Sequence, residues 1–156
     1  FIAEDLGEIR PEVYELRDYF DLKGMVIIQE FLKPKEEEYI YAPKNSVAYT
    51  GTHDNKTLMD WYEGLSEEKR EDIRKLFEKL GIKNKNTAED FFEFAMGRDS
   101  EYVIIPLQDI LGLGDEARIN TPATLDDKNW SFKFTSMENL KEKEGFLKKI
   151  IEKYRK

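Results

Sequence analysis

Four short apolar runs recur along this chain, and helical patterns separate them. The runs are residues 1–3, 25–28, 47–49 and 102–105. Each is too short for a helix, rich in branched or aromatic residues, and apolar on both faces, as buried strands are. Between them lie amphipathic stretches. Pro11 and Glu12 suit a first helical turn, and Val13, Leu16 and Phe20 follow at helical spacing until Lys23-Gly24. A second stretch starts near Thr57 with Leu58, Trp61 and Tyr62. Ser66 caps a third, whose face is Ile73, Leu76, Phe77 and Leu80, stopped by Gly81. Thr87 with Asp90 three residues on resembles a capping box ahead of Phe91, Phe92 and Ala95. The last helix spans about 137–154. Strands buried on both faces and joined by helices predict parallel pairing in βα units. Four such units make either a small open α/β sheet or half of an eight-fold barrel. In both, functional groups gather beyond the carboxyl ends of the strands. Residues 36–41 read as an acidic, Tyr-rich loop. The polar stretch 108–129 is long for a connector, so it is either functional or ordered by short turns.

Composition removes several function classes. There is no cysteine and a single histidine, His53, which excludes disulfides, thiolate chemistry and multi-histidine metal sites. Against 25 Lys and Arg stand 33 Asp and Glu, a net charge of −8, which disfavours nucleic-acid binding. Apolar runs fall far below the roughly 20 residues needed to span a bilayer. No basic region precedes one of them as in a signal peptide, so a cytoplasmic location is expected. The chemistry is left to carboxylates, His53 and neutral polar groups.

Two polar clusters follow predicted strands: Ala3-Glu4-Asp5-Leu6-Gly7 and Thr50-Gly51-Thr52-His53-Asp54-Asn55. Carboxylates from neighbouring parallel strands can converge over one pocket. Cleavage of a sugar acetal needs that arrangement, with one carboxyl protonating the leaving oxygen and others stabilising an oxocarbenium-like centre. Acids after strands also commonly cap helices, and a lone loop histidine is commonly structural. Pattern alone leaves both readings open.

Longer blocks carry a resemblance. Ile2-Ala3-Glu4-Asp5-Leu6-Gly7 with Pro11-Glu12-Val13, Gly24-Met25 ahead of a strand with Gln29, and Val47-Ala48-Tyr49-Thr50-Gly51-Thr52-His53-Asp54-Asn55 with Thr57 and Trp61 resemble the amylomaltases, or 4-α-glucanotransferases. So do Pro106-Leu107-Gln108-Asp109-Ile110-Leu111-Gly112-Leu113-Gly114, Ala117-Arg118-Ile119-Asn120 and Asn129-Trp130, in the family's order. The resemblance implies one partial domain over residues 1–156, about strands five to eight of a (β/α)8 TIM barrel. It implies Glu4 as general acid/base and Asp54 as the carboxylate that grips the distorted sugar and stabilises the transition state. It implies His53 as a hydrogen-bonding partner of the same sugar, and Asp5 and Asn120 as supporting substrate contacts. Gln108 and Asp109 look like scaffold. A Glu beside Asp5 and facing other carboxylates is expected to titrate high, as a general acid needs. The substrate implied is a maltodextrin or other α-1,4-glucan, and no metal or organic cofactor is implied.

The chain departs from the family's pattern at Glu30, where an aromatic is usual, so the charge is expected to alter a sugar contact or form a local ion pair. Pro122-Ala123 and Ser131-Phe132-Lys133 also depart from it. A retaining mechanism needs a nucleophilic carboxylate, and the resemblance implies that it is an Asp near an Arg from the preceding strand. Asp18, Asp21, Asp60 and Asp109 lack that setting. The expectation is a carboxyl-terminal piece, inactive alone, that pairs with a missing amino-terminal half or self-associates through open strand edges. The alternative is a non-catalytic carbohydrate-binding or structural fragment.

Overall fold

The computed structural model describes residues 1–35, 42–83, 85 and 87–155. The loop expected over 36–41 lies outside them. Three strands, β1 (Gly24–Ile27), β2 (Ser46–Tyr49) and β3 (Tyr102–Ile104), form a sheet in the order β1-β2-β3, and both pairings are parallel. Met25 lies opposite Val47, and Val47 opposite Tyr102. The expected fourth strand at residues 1–3 is reduced to one parallel bridge between Ile2 and Lys23. With it goes a hydrogen bond from the Ala3 amide to the Lys23 carbonyl (2.8 Å). Phe1 is fully exposed. The direction of that run was legible, but too few residues pair for a strand.

Helices α1 (Pro11–Tyr19), α2 (Ile28–Phe31), α3 (Leu58–Glu63), α4 (Glu67–Lys79), α5 (Ala88–Met96), α6 (Leu107–Ile110) and α7 (Glu138–Tyr154) connect and cover the sheet. The capping signals act as read. Ser66 accepts from the Lys69 amide at the start of α4, and Asp90 accepts from the Thr87 amide at the start of α5. Helix α1 stops earlier than its apolar pattern suggests. Asp21 adopts a left-handed conformation (φ 51°), which Asp tolerates better than most residues, and turns the chain into β1. Ile28, expected to end the strand, instead opens the one-turn α2, where it is fully buried. A single turn is too short to show a helical period.

The core lies on one side of the sheet. Leu58 and Tyr62 of α3, Ile73, Leu76 and Phe77 of α4, and Phe91, Phe92 and Phe94 of α5 pack together with Val26 and Ile28. Phe91 sits edge-on to Phe77 (5.0 Å between centroids) and to Tyr62 (5.3 Å). By contrast α1 buries none of its residues, and β3, an edge strand, exposes Tyr102 and Ile104. No helix among the described residues is long and apolar enough to cross a membrane.

All strand directions agree, so the carboxyl ends of the Ile2 bridge, β1, β2 and β3 open on the same side. Gly24, the first residue of β1, lets Asp5 and Arg17 approach the strand closely. A Cβ there would lie 2.5 Å from Asp5 Oδ2 and 2.9 Å from Arg17. Gly24→Ala is therefore expected to lower stability by about 1–3 kcal/mol by pushing apart a nearly buried ion pair. Urea unfolding checks this, and an unchanged midpoint would show that the pair yields freely.

Candidate active site

The strand ends enclose a cleft of about 590 Å³. Glu4 enters it after the Ile2 bridge, Met25 and Glu30 from β1 and α2, and Tyr49, His53 and Asp54 from β2 and the loop after it. Neither Lys nor Arg is among its lining residues. Glu4, His53 and Asp54, picked out at distant points of the sequence, thus meet in one place.

Behind Glu4, Asp5 is 9% exposed. Its Oδ2 accepts from Arg17 Nη1 (2.5 Å) and its Oδ1 from the Met25 amide (2.7 Å). Both oxygens therefore serve the protein, tying the 3–6 turn to α1 and to the neighbouring strand. This holds the main chain that presents Glu4.

The loop at 50–57 is held from three sides. At its base, Asp109 of α6 is 2% exposed. Its Oδ2 accepts from Thr50 Oγ1 (2.5 Å) and its Oδ1 from the Leu58 amide (2.8 Å). Burial pushes the Asp109 carboxyl above its ordinary range, against the opposing pull of the Thr50 and Leu58 bonds. From the β1 side, Gln29 Nε2 donates to the Lys56 carbonyl (2.9 Å), and Glu30 Oε1 accepts from Asn55 Nδ2 (3.1 Å). Asn55 Oδ1 in turn accepts from the Thr52 amide and hydroxyl (both 2.8 Å). The charge at Glu30 is thus spent on a hydrogen bond to this loop.

The third side is the stretch after α6, expected to be functional or turn-ordered; it proves rich in short turns that grip the loop. The Asn120 amide donates to the His53 carbonyl (3.1 Å) and Arg118 Nη2 to the Asp54 carbonyl (3.0 Å). Asn120 Nδ2 donates to Asp54 Oδ1 (2.6 Å), which also lies 3.3 Å from His53 Nε2. Asn120 therefore joins the site through Asp54 and is not among the residues lining the cleft. Trp130, to which the sequence assigned no role, stacks on His53 with centroids 5.1 Å apart and planes tilted by 36°. Arg118, Glu30 and Asn55 were missed as loop supports as well. Arg118 and Asn120 reach main chain more than 60 residues away, which nothing in a lone Arg or Asn marks.

Chemically, the cleft offers an exposed carboxylate on one strand end, a second carboxylate polarised by an amide and an imidazole on another, and aromatic and aliphatic walls. It suits a neutral polyol, whose hydroxyls find acceptors, and a reaction that develops positive charge.

Known proteins place the chain in a family. Residues 1–139 match the family model described as 4-alpha-glucanotransferase. The 4-alpha-glucanotransferase of Solanum tuberosum, named chloroplastic/amyloplastic, is 36% identical over 98% of this chain, which covers 27% of that protein. The 4-alpha-glucanotransferase of Aquifex aeolicus is 37% identical over 97% of this chain and 31% of its own length. The chain thus spans under a third of the curated relatives it matches. The amylomaltase from Streptococcus agalactiae in complex with acarbose superposes on 99% of the chain and 32% of its own, with a TM-score of 0.87 and 28% identity. The amylomaltase from Corynebacterium glutamicum shares the fold at a TM-score of 0.70 and 18% identity. Matched along most of its length by that family model and by relatives from plants and bacteria, the chain belongs to the 4-alpha-glucanotransferase family.

Proposed function

We propose that the whole protein transfers α-1,4-glucan segments between maltodextrins by a retaining double displacement. This chain would supply the carboxyl-terminal part of its barrel, about strands five to eight. The observation that carries the reading is the convergence of Glu4 and Asp54 on one cleft free of lining cations. In this account Glu4 protonates the departing glycosidic oxygen and later deprotonates the acceptor hydroxyl. Asp54, with His53 beside it, holds ring hydroxyls more tightly as the sugar flattens. Asn120 orients Asp54 through Oδ1, and Asp5 supports the turn carrying Glu4 from behind. The nucleophilic Asp comes from the remaining two thirds of the protein. No cofactor takes part.

The unburied α1 and the open edge of β3 fit this account. In the whole protein they would be covered by the remainder of the barrel, and in the isolated chain by a second copy. Incubation with maltotriose tests both points. The whole protein should yield glucose and longer maltodextrins, and Glu4→Gln should lower that rate by about 10²–10⁴-fold. The isolated chain should yield nothing until the rest of the protein is added in trans. Turnover by the chain alone would place a nucleophile within these residues. A whole protein that binds maltodextrin without turnover would make it a carbohydrate-binding module.

A further inference from the structure

Trp130 has a backbone that its residue type disfavours. Its φ is +62°, in the left-handed region that suits glycine, yet the chain keeps its largest side chain there. The conformation is held by its own amide and by the preceding Asn129. The Trp130 amide donates to the Ile119 carbonyl (2.7 Å). The Asn129 side chain accepts from the Thr121 amide (3.0 Å) and donates to the Thr124 carbonyl (3.2 Å) and hydroxyl (3.1 Å). These bonds bring residue 130 beside Asn120, whose amide and side chain already hold His53 and Asp54. The indole remains 65% exposed, so burial in the core does not explain it. Its ring contact is the imidazole of His53. Trp130 is absent from the residues lining the cleft, whereas His53 is among them.

We propose that Trp130 is a positioning residue for the transfer reaction. Its indole forms a wall against one face of the His53 imidazole, so that the ring keeps Nε2 on the Asp54 side. The disfavoured backbone coincides with the placement that brings an aromatic face to His53. The inference rests on the glucanotransferase reading for its effect on turnover, while the ring contact itself stands apart from it.

The experiment pairs kinetics with a spectroscopic signature. Trp130→Gly relaxes the left-handed backbone and removes the wall. In the whole protein it should lower kcat for maltotriose transfer by roughly 10- to 100-fold, the cost of a loosened reacting group, with a smaller change in KM. Its melting temperature should equal or exceed that of the wild type, because glycine adopts this φ freely. Trp130→Phe should recover most of the activity. His53 is the only histidine of this chain, so in the 156-residue chain its ring Cε1 proton gives a single NMR resonance. That resonance should be displaced by the indole ring current and return toward the free-histidine position in Trp130→Gly. Should the glycine variant not fold, Trp130→Asn, which also tolerates the left-handed region, takes its place. A His53 resonance that does not move, or a glycine variant that turns over like wild type, would overturn the inference. A variant that melts earlier yet keeps full kcat would show a role in folding only, and would overturn it too. A wild-type whole protein without transfer would sink the underlying reading instead, leaving the His53 signal to be judged separately.

Discussion

Replacing Asp109 by leucine is expected to lower the stability of the chain by about 2–4 kcal/mol. The carboxylate is buried and satisfies two buried donors, the Thr50 hydroxyl and the Leu58 amide. Leucine leaves both unpaired, at about 1–3 kcal/mol each, partly offset by removal of a buried charge. Thr50 and Leu58 bracket the loop that carries His53 and Asp54, so the damage reaches the cleft as well. Asp109→Asn keeps an acceptor and should cost about 1 kcal/mol. The two variants also differ in pH dependence. Burial raises the Asp109 pKa from 3.8, so the folded chain binds this proton more tightly than the unfolded chain does. Stability from this group is therefore greatest below its unfolded value and is lost as pH climbs through the window above 3.8, levelling off once both states are ionised. The gap between wild type and Asp109→Asn should accordingly narrow as pH rises from about 4. Urea unfolding over that range measures it. A gap that widens with pH would mean the ionised form is the one the fold favours.

Asp109 also shows what a sequence of this kind discloses. The family resemblance marked it as scaffold, but not what it holds up. The bonds to Thr50 and Leu58 cross more than 50 residues, and no local spacing encodes them. Features with a local physical cause were legible: the parallel strands, from apolar runs joined by helices, and the caps at Ser66 and Asp90, from side chains three residues from their partners. Parallel strands put the polar clusters that hold Glu4, His53 and Asp54 on one side, but the choice of these three residues came from the family resemblance. Where few residues decide, the reading fell short. The run at 1–3 contributes only the bridge at Ile2, and the single turns α2 and α6 are too short to show a period. The left-handed backbone at Trp130 belongs to a residue that seldom adopts it, so composition gives no warning of it. Exposure at α1 and β3 was the reverse case. Their patterns ask for burial that the elements of this chain do not supply.

Asp54→Asn should leave the loop in place and remove most of the turnover. An asparagine oxygen can still accept from Asn120 Nδ2, and the Asp54 carbonyl still accepts from Arg118. What disappears is the negative charge facing the cleft. Loss of one preorganised electrostatic group typically costs about 10²–10³ in kcat, and a full charge opposite an oxocarbenium-like centre belongs at or above the upper end. In the whole protein the expected loss is therefore about 10³-fold in kcat, with melting temperature nearly unchanged. Asn120→Ala removes the 2.6 Å bond that orients the carboxylate and should cost about 10-fold. Since Asn120 is proposed to act through Asp54, the two losses should not multiply. In the Asp54→Asn background, Asn120→Ala should cost much less than it does alone. Maltotriose kinetics on the four members of this cycle decide the matter. Equal effects of Asn120→Ala in both backgrounds would mean that Asn120 meets the substrate directly, and the path from the 118–130 loop to the reacting sugar would then bypass Asp54.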